Sequence, residues 1–146
     1  MIRVSSKVKL NMARIKELNQ AAVTALEQTA EALHTEVVQA QVVPRMDGAL
    51  QGESFFVDTT DSAGGHVRLV HATPYARRMY FHPEYDFHKG PWEEEWTDRQ
   101  GKKHHVNHDG NPNAKGLWYE DWEAGGKHAD FCAKTFKEIY RRLAEL

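Results

Sequence analysis

From Asn11 to Val43, apolar or small residues return every three or four positions. Ile15, Leu18, Ala22, Ala25, Thr29, Leu33, Val37 and Ala40 fall on one face of a single long helix. Asn11 is placed to cap its start. Pro44 disfavours helical geometry at Val43 and so sets its end. At about 1.5 Å per residue this helix is roughly 50 Å long. A chain of 146 residues has room for one ordinary domain, and for such a domain the helix is long. Its stripe is rich in Ala and Thr, which suits packing on a sheet or contact with a neighbouring subunit.

Beyond the helix the chain reads as strands. Pro44 to Ser54 is a joint, with Asp47-Gly48 as a turn signal. Phe55 to Thr60 and His66 to His71 form a hairpin about the flexible turn Asp61-Ser62-Ala63-Gly64-Gly65. In its second strand Val67, Leu69 and His71 face one way, and Arg68 and Val70 the other. Tyr75 to His82 is expected as a third strand, aromatic and carrying Arg77 and Arg78. From Pro83 to Asn113 the chain is polar and broken by Gly90-Pro91, Gly101 and Asp109-Gly110-Asn111-Pro112. A short strand pair, Trp92–Trp96 with Lys103–Val106, fits around an Asp98-Arg99-Gln100-Gly101 turn. Asn113 is placed to cap a short helix through Trp122. A final helix from about Lys127 to Leu146 places Phe131 or Cys132, Phe136, Ile139, Tyr140 and Leu143 on one face, and Arg141 and Arg142 suit its C-terminal end. The expected class is α+β, a single domain over 1–146. Its antiparallel sheet is flanked by a long N-terminal and a C-terminal helix, with a long aromatic loop insertion over 83–113.

Composition narrows the function classes. The formal net charge is −2, which argues against phosphate binding as the main task. The single cysteine, Cys132, makes no internal disulfide and no thiolate metal site. The first ten residues lack an apolar core of signal-peptide length, and no segment reaches the roughly 20 apolar residues of a membrane span. An aqueous, intracellular setting is expected.

The stretch from Tyr75 to Trp122 holds Trp92, Trp96, Trp118 and Trp122, together with Tyr75, Tyr80, Tyr85 and Tyr119. Polar sequence loaded with Trp and Tyr is what a contact surface looks like, because these rings bury much area at little entropy cost. Five histidines in the same stretch raise a second reading. His104, His105 and His108, with Asp109, could ligate a metal, and the His-Asn-His wording is that of a metal-dependent HNH-like nuclease. Flanking Lys102-Lys103 and Gly110-Asn111-Pro112 argue against a ligand-bearing helix there, and a solvated polar loop is the plainer reading. His82 and His88 with Glu84 or Asp86 could make an acid-base pair, though such groups on a turn are commonly just surface. Cys132 lies on an apolar helical face and reads as structural. Phosphate-loop and nucleophile-elbow patterns are absent from the sequence. Arg77, Arg78, Lys89, Lys102 and Lys103 are interleaved with Asp86, Glu93-Glu94-Glu95 and Asp98. Mixed charge among aromatics suits protein partners better than phosphate.

Three motifs carry a resemblance. Pro44-Arg45-Met46-Asp47-Gly48-Ala49-Leu50-Gln51-Gly52-Glu53-Ser54 resembles the Pro-x-x-x-Gly-x-Leu-x-x-Ser joint of tailed-bacteriophage neck proteins, where a long helix gives way to the first strand. Pro74-Tyr75-Ala76 is similar to their Tyr-Ala strand. Asn111-Pro112-Asn113-Ala114-x-x-Leu117-Trp118 looks like the closing motif of the branch known as minor capsid, head-tail joining or tail completion proteins. The resemblance runs over nearly the whole chain in order, and departs from the family in the length of the His82-to-Asn111 segment. It implies a non-enzymatic virion component, made in the host bacterial cytoplasm. Such proteins form a ring, commonly six-fold, at the head-tail junction. The implied partners are further copies of the chain and other neck, connector and tail proteins. DNA passes through without specific binding, and no membrane, cofactor, metal or catalytic residue is implied. A tail terminator or head-closure stopper is the neighbouring alternative. Trp92, Trp96 and Trp118 are the expected partner anchors, with Tyr85, Phe87, Arg77 and Arg78 beside them.

Overall fold

A computed structural model describes residues 2–44 and 54–146. The long helix, α1, runs Met12–Ala40. The Asn11 side chain accepts the Arg14 backbone N–H at 3.0 Å, which is the expected cap. Gln41 closes the helix in the left-handed region, with its N–H on the Val38 carbonyl. Ala21, Ala25, Thr29 and Val37 lie on one i+4 row and are buried. Thr29 satisfies its buried hydroxyl by donating to the Ala25 carbonyl at 2.7 Å. Residues 45–53, which hold most of the joint motif and its Asp47-Gly48 turn, lie outside the described residues.

β1 (Phe55–Asp58) pairs antiparallel with β2 (Arg68–His71), Phe55 opposite His71. The turn between them contains a 3-10 turn at Ser62–Gly64. Two bonds tie this hairpin to α1. Ser62 Oγ donates to Glu27 Oε1 at 2.5 Å, and His34 Nε2–H donates to the Phe55 carbonyl at 3.1 Å.

Tyr75 to His82 is not a strand. Ala76–Tyr80 forms a one-turn helix, α2, with Ala76 and Met79 buried one turn apart. The spacing of these two residues is helical, and the preceding Thr73-Pro74 suits a helix start. Nor does Asn113–Trp122 form a continuous helix. It is a chain of tight turns ending in a 3-10 turn at Glu120–Trp122. It is held by backbone bonds from Lys115 N–H to the Val42 carbonyl (2.9 Å) and from Leu117 N–H to the Tyr80 carbonyl (2.8 Å).

β3 (Trp92–Thr97) and β4 (Lys103–His108) form a second antiparallel hairpin around the Asp98–Gly101 turn. The antiparallel strands thus make two separate two-stranded sheets rather than one. The last helix, α3, is Phe131–Leu143. It packs along α1. Phe131 lies against the core, while Arg14 Nη2 near the start of α1 donates to the Ala144 carbonyl at 2.7 Å. The two helices are therefore antiparallel. The class is α+β, with a long N-terminal helix, a C-terminal helix and antiparallel strands.

The main core gathers at the C-terminal end of α1. Val37, Val42 and Val43 meet Phe55, Ala76, Met79, Phe87, Ala114, Trp118 and Trp122 there. Burying these side chains contributes about 1.5–3 kcal/mol for each large one.

Candidate interaction surface

The β3–β4 hairpin stands apart from this core. Among the described residues each of its strands hydrogen-bonds only its partner strand, and most of its side chains are exposed on both faces. Its root is tightly specified. Phe87 and His88 both take positive φ (55° and 53°), a conformation that costs non-glycine residues on the order of 1–3 kcal/mol each. His88 is thereby stacked on Trp92, with ring centroids 3.9 Å apart, and Trp92 stacks on His108 at 4.3 Å. Gly110, at φ +83°, passes so close to Gly90 that a Cβ would lie 2.1 Å from the Gly90 carbonyl oxygen. Asn111 completes the root. Its N–H donates to the His88 carbonyl at 3.0 Å, and its Nδ2 donates to the Gln41 carbonyl at 2.7 Å. The arm is thus moored to the C-terminal end of α1.

The hairpin register sorts its side chains. Trp92, Glu94 and Trp96 share one face with His104, Val106 and His108. Trp96 stacks on His104 at 5.3 Å and is 45% exposed, and Val106 is 40% exposed. The opposite face is polar, with Glu93 bound to His105 at 2.6 Å and Glu95 to Lys103 at 3.5 Å. One face therefore offers apolar rings and the other offers charge.

The tip is closed by Asp98. Its Oδ1 accepts the N–H groups of Gln100 (2.8 Å) and Lys102 (2.9 Å), and its Oδ2 lies 2.9 Å from His104 Nε2. These bonds, led by that to His104, hold the Asp98 carboxyl below the usual carboxylate range. Gly101 supplies the positive φ the turn requires.

The expected partner residues separate into two groups. Trp92 and Trp96 are on the arm. Tyr85 lies at its root, stacked on His82 at 4.8 Å and accepting from Arg78 Nε at 3.3 Å. Arg77 and Arg78 are exposed on α2, and Arg77 sits 6.0 Å above the Phe81 ring. An open hollow of about 440 Å³ lies beside them, lined by Tyr75, Met79, Tyr85 and Phe87. Trp118 and Phe87 are different. Trp118 is 1% exposed and belongs to the core, out of a partner's reach in this fold, and Phe87 is a largely buried core residue with one edge on that hollow. Trp118 is enclosed by Tyr80, His71 and Tyr119, and its indole N–H donates to His71 Nε2 at 3.3 Å. Sequence reading missed Val106 and His88 as parts of the surface. The Asp98–Gly101 turn held the signal, since it fixes the register that sets Val106 opposite Glu94 beside both tryptophans.

The histidines diverge. His104 faces Asp98, His105 faces Glu93 across the other side of the sheet, and His108 faces Glu94 at 3.0 Å. Among the described residues no three His, Cys, Asp or Glu side chains converge on a point where a metal would sit. Cys132 is half-buried, and desolvation pushes its thiol up, away from the thiolate a nucleophile needs. Among the described residues no helix is long and apolar enough to cross a membrane. Set against known protein families, curated proteins and solved structures, the chain finds no match.

Proposed function

We propose that this chain is a structural component of a tailed-bacteriophage neck, forming a ring of identical copies at the junction of head and tail. The observation that carries the reading is the projecting arm. Trp92, Trp96 and Val106 form an apolar face outside the core, rimmed by charge, which is the make-up of a contact hot spot. A closed ring uses head-to-tail contacts, so each copy needs two different complementary surfaces. The arm supplies one. A further apolar strip lies on α3, where Phe136, Ile139 and Tyr140 are left half-buried by α1. In this reading the role is non-enzymatic and DNA slides past. A net charge of −2 suits a channel that does not hold phosphate.

The test is particle assembly. Cells making every other virion protein but not this one are expected to accumulate filled heads and unattached tails. Trp92→Ala with Trp96→Ala is expected to give a folded chain but at least about tenfold fewer completed particles, as truncating hot-spot residues does to binding. Completed particles at normal yield in the absence of the chain overturn the reading.

A further inference from the structure

The segment before α1 alternates. Ile2, Val4, Val8 and Leu10 occupy even positions, and Arg3, Lys7 and Lys9 occupy odd ones. It is assigned to neither helix nor strand, and its apolar residues are exposed, at 92%, 91%, 85% and 63%. Apolar residues stand at four of the five even positions from 2 to 10, and such alternation is the pattern of a half-buried strand, yet among the described residues this segment joins no sheet. The β3 edge is the converse: among the described residues its outer side pairs with no strand. A lone two-stranded hairpin is marginal in water, and a third strand is what ordinarily stabilises one.

We propose that residues 2–10 of one copy add as a third strand to the free edge of β3 in another copy. The two sequences are complementary at the tryptophans and at Glu93. An antiparallel register that sets Val4 beside Trp96 and Val8 beside Trp92 also sets Ser6, the one polar even residue, beside Glu94. The apolar residues then cover the tryptophan face. On the other face Lys7 stands opposite Glu93, and Arg3 is diagonal to Glu95, where opposite charges across strands attract. The run of glutamates repels a second β3 and selects a basic strand.

The strand must come from another copy. α1, of 29 residues, separates Met12 from Gln41 by about 43 Å. Trp92 is moored near Gln41 through His88 and Asn111. The chain from Val8 to Met12 spans at most about 14 Å, so a copy cannot fill its own edge. Each copy gives a strand at one end and receives one at the other, which is a head-to-tail contact.

The inference shares with the neck reading only the premise of self-association, and sedimentation of the purified full-length chain tests it. Association is expected to rise with concentration. Deleting residues 2–10 is expected to weaken it at least about tenfold, with circular dichroism unchanged, because the segment lies outside the core. Changing Arg3, Lys7 and Lys9 to Glu, or Glu93 and Glu95 to Lys, is expected to weaken it likewise. Combining both sets is expected to restore it to within about threefold of the original, the outcome of a true pairwise coupling. A full chain that stays monomeric, a deletion that associates as tightly as the full chain through β4 or any other surface, or a combined variant that does not recover, each overturns the inference. The neck reading stands or falls separately, on the particle test alone.

Discussion

Trp118 concentrates much of the core's specificity in one side chain. Its ring meets Tyr80 edge-on at 4.8 Å and His71 at 5.3 Å, and its N–H finds an acceptor on His71. An indole N–H only donates, so Nε2 is the accepting nitrogen of His71. The Tyr119 hydroxyl converges on the same atom, and desolvation raises the Tyr119 phenol well above its ordinary value. Trp118→Ala is expected to lower stability by about 3–5 kcal/mol, read from a urea unfolding curve. Trp118→Phe should lose less, because it keeps a ring in the space. The role of this residue was not legible in the sequence. Asn113–Trp122 has no clear helical or strand period, and most of what encloses Trp118 comes from β2 and α2, far away along the chain. Trp92 and Trp96, by contrast, lie in a strand whose neighbours are all polar, and there an outward position was readable.

Elements were legible where their signals are local. α1 is set by its period and the Asn11 cap, though it ends at Ala40, closed by left-handed Gln41, three residues before the end that Pro44 predicts, and the hairpins are set by their turns. α2 was misread because Tyr75 to His82 has the aromatic content of a strand but, in Ala76 and Met79, the spacing of a helix. Period decides when composition and period disagree. The β3–β4 turn offers a test with a definite sign. The Asp98 carboxyl is depressed in the folded state, so its contribution is complete above the ordinary carboxylate value. It is lost as pH falls through the lowered value. The tip is therefore expected to open on the acid side of about pH 4, while the core stays folded. Rising amide exchange at Gln100 and Lys102 would report it. Asp98→Ala is expected to open the same amides at neutral pH, and unchanged protection there would refute the account of the turn.

At the scale of the molecule, order divides between a packed body and a projecting arm. The core elements exchange side chains with one another, whereas β3 and β4 exchange them chiefly with each other. Replacing 91–109 by a short Gly-Ser linker is accordingly expected to leave cooperative unfolding intact, with stability changed by about 1 kcal/mol or less, since few core contacts cross the root. A loss of several kcal/mol, measured by the same urea curve, would show that the arm is part of the core after all. The sequence disclosed the two helices and both hairpins. It did not disclose that the strands divide into two sheets, because which hairpins meet is a matter of tertiary packing and not of any local period.

α1 has a consequence as a ruler. In the proposed strand exchange, the place where a copy gives and the place where it receives lie at opposite ends of a single rod. Each residue added to the rod would advance the donated strand by about 1.5 Å and rotate it by about 100° about the helix axis. The number of subunits that closes such an assembly is then written in the length and phase of one helix. Tolerance to insertion belongs to the turns at Asp61–Gly65 and Asp98–Gly101, and α1 has almost none.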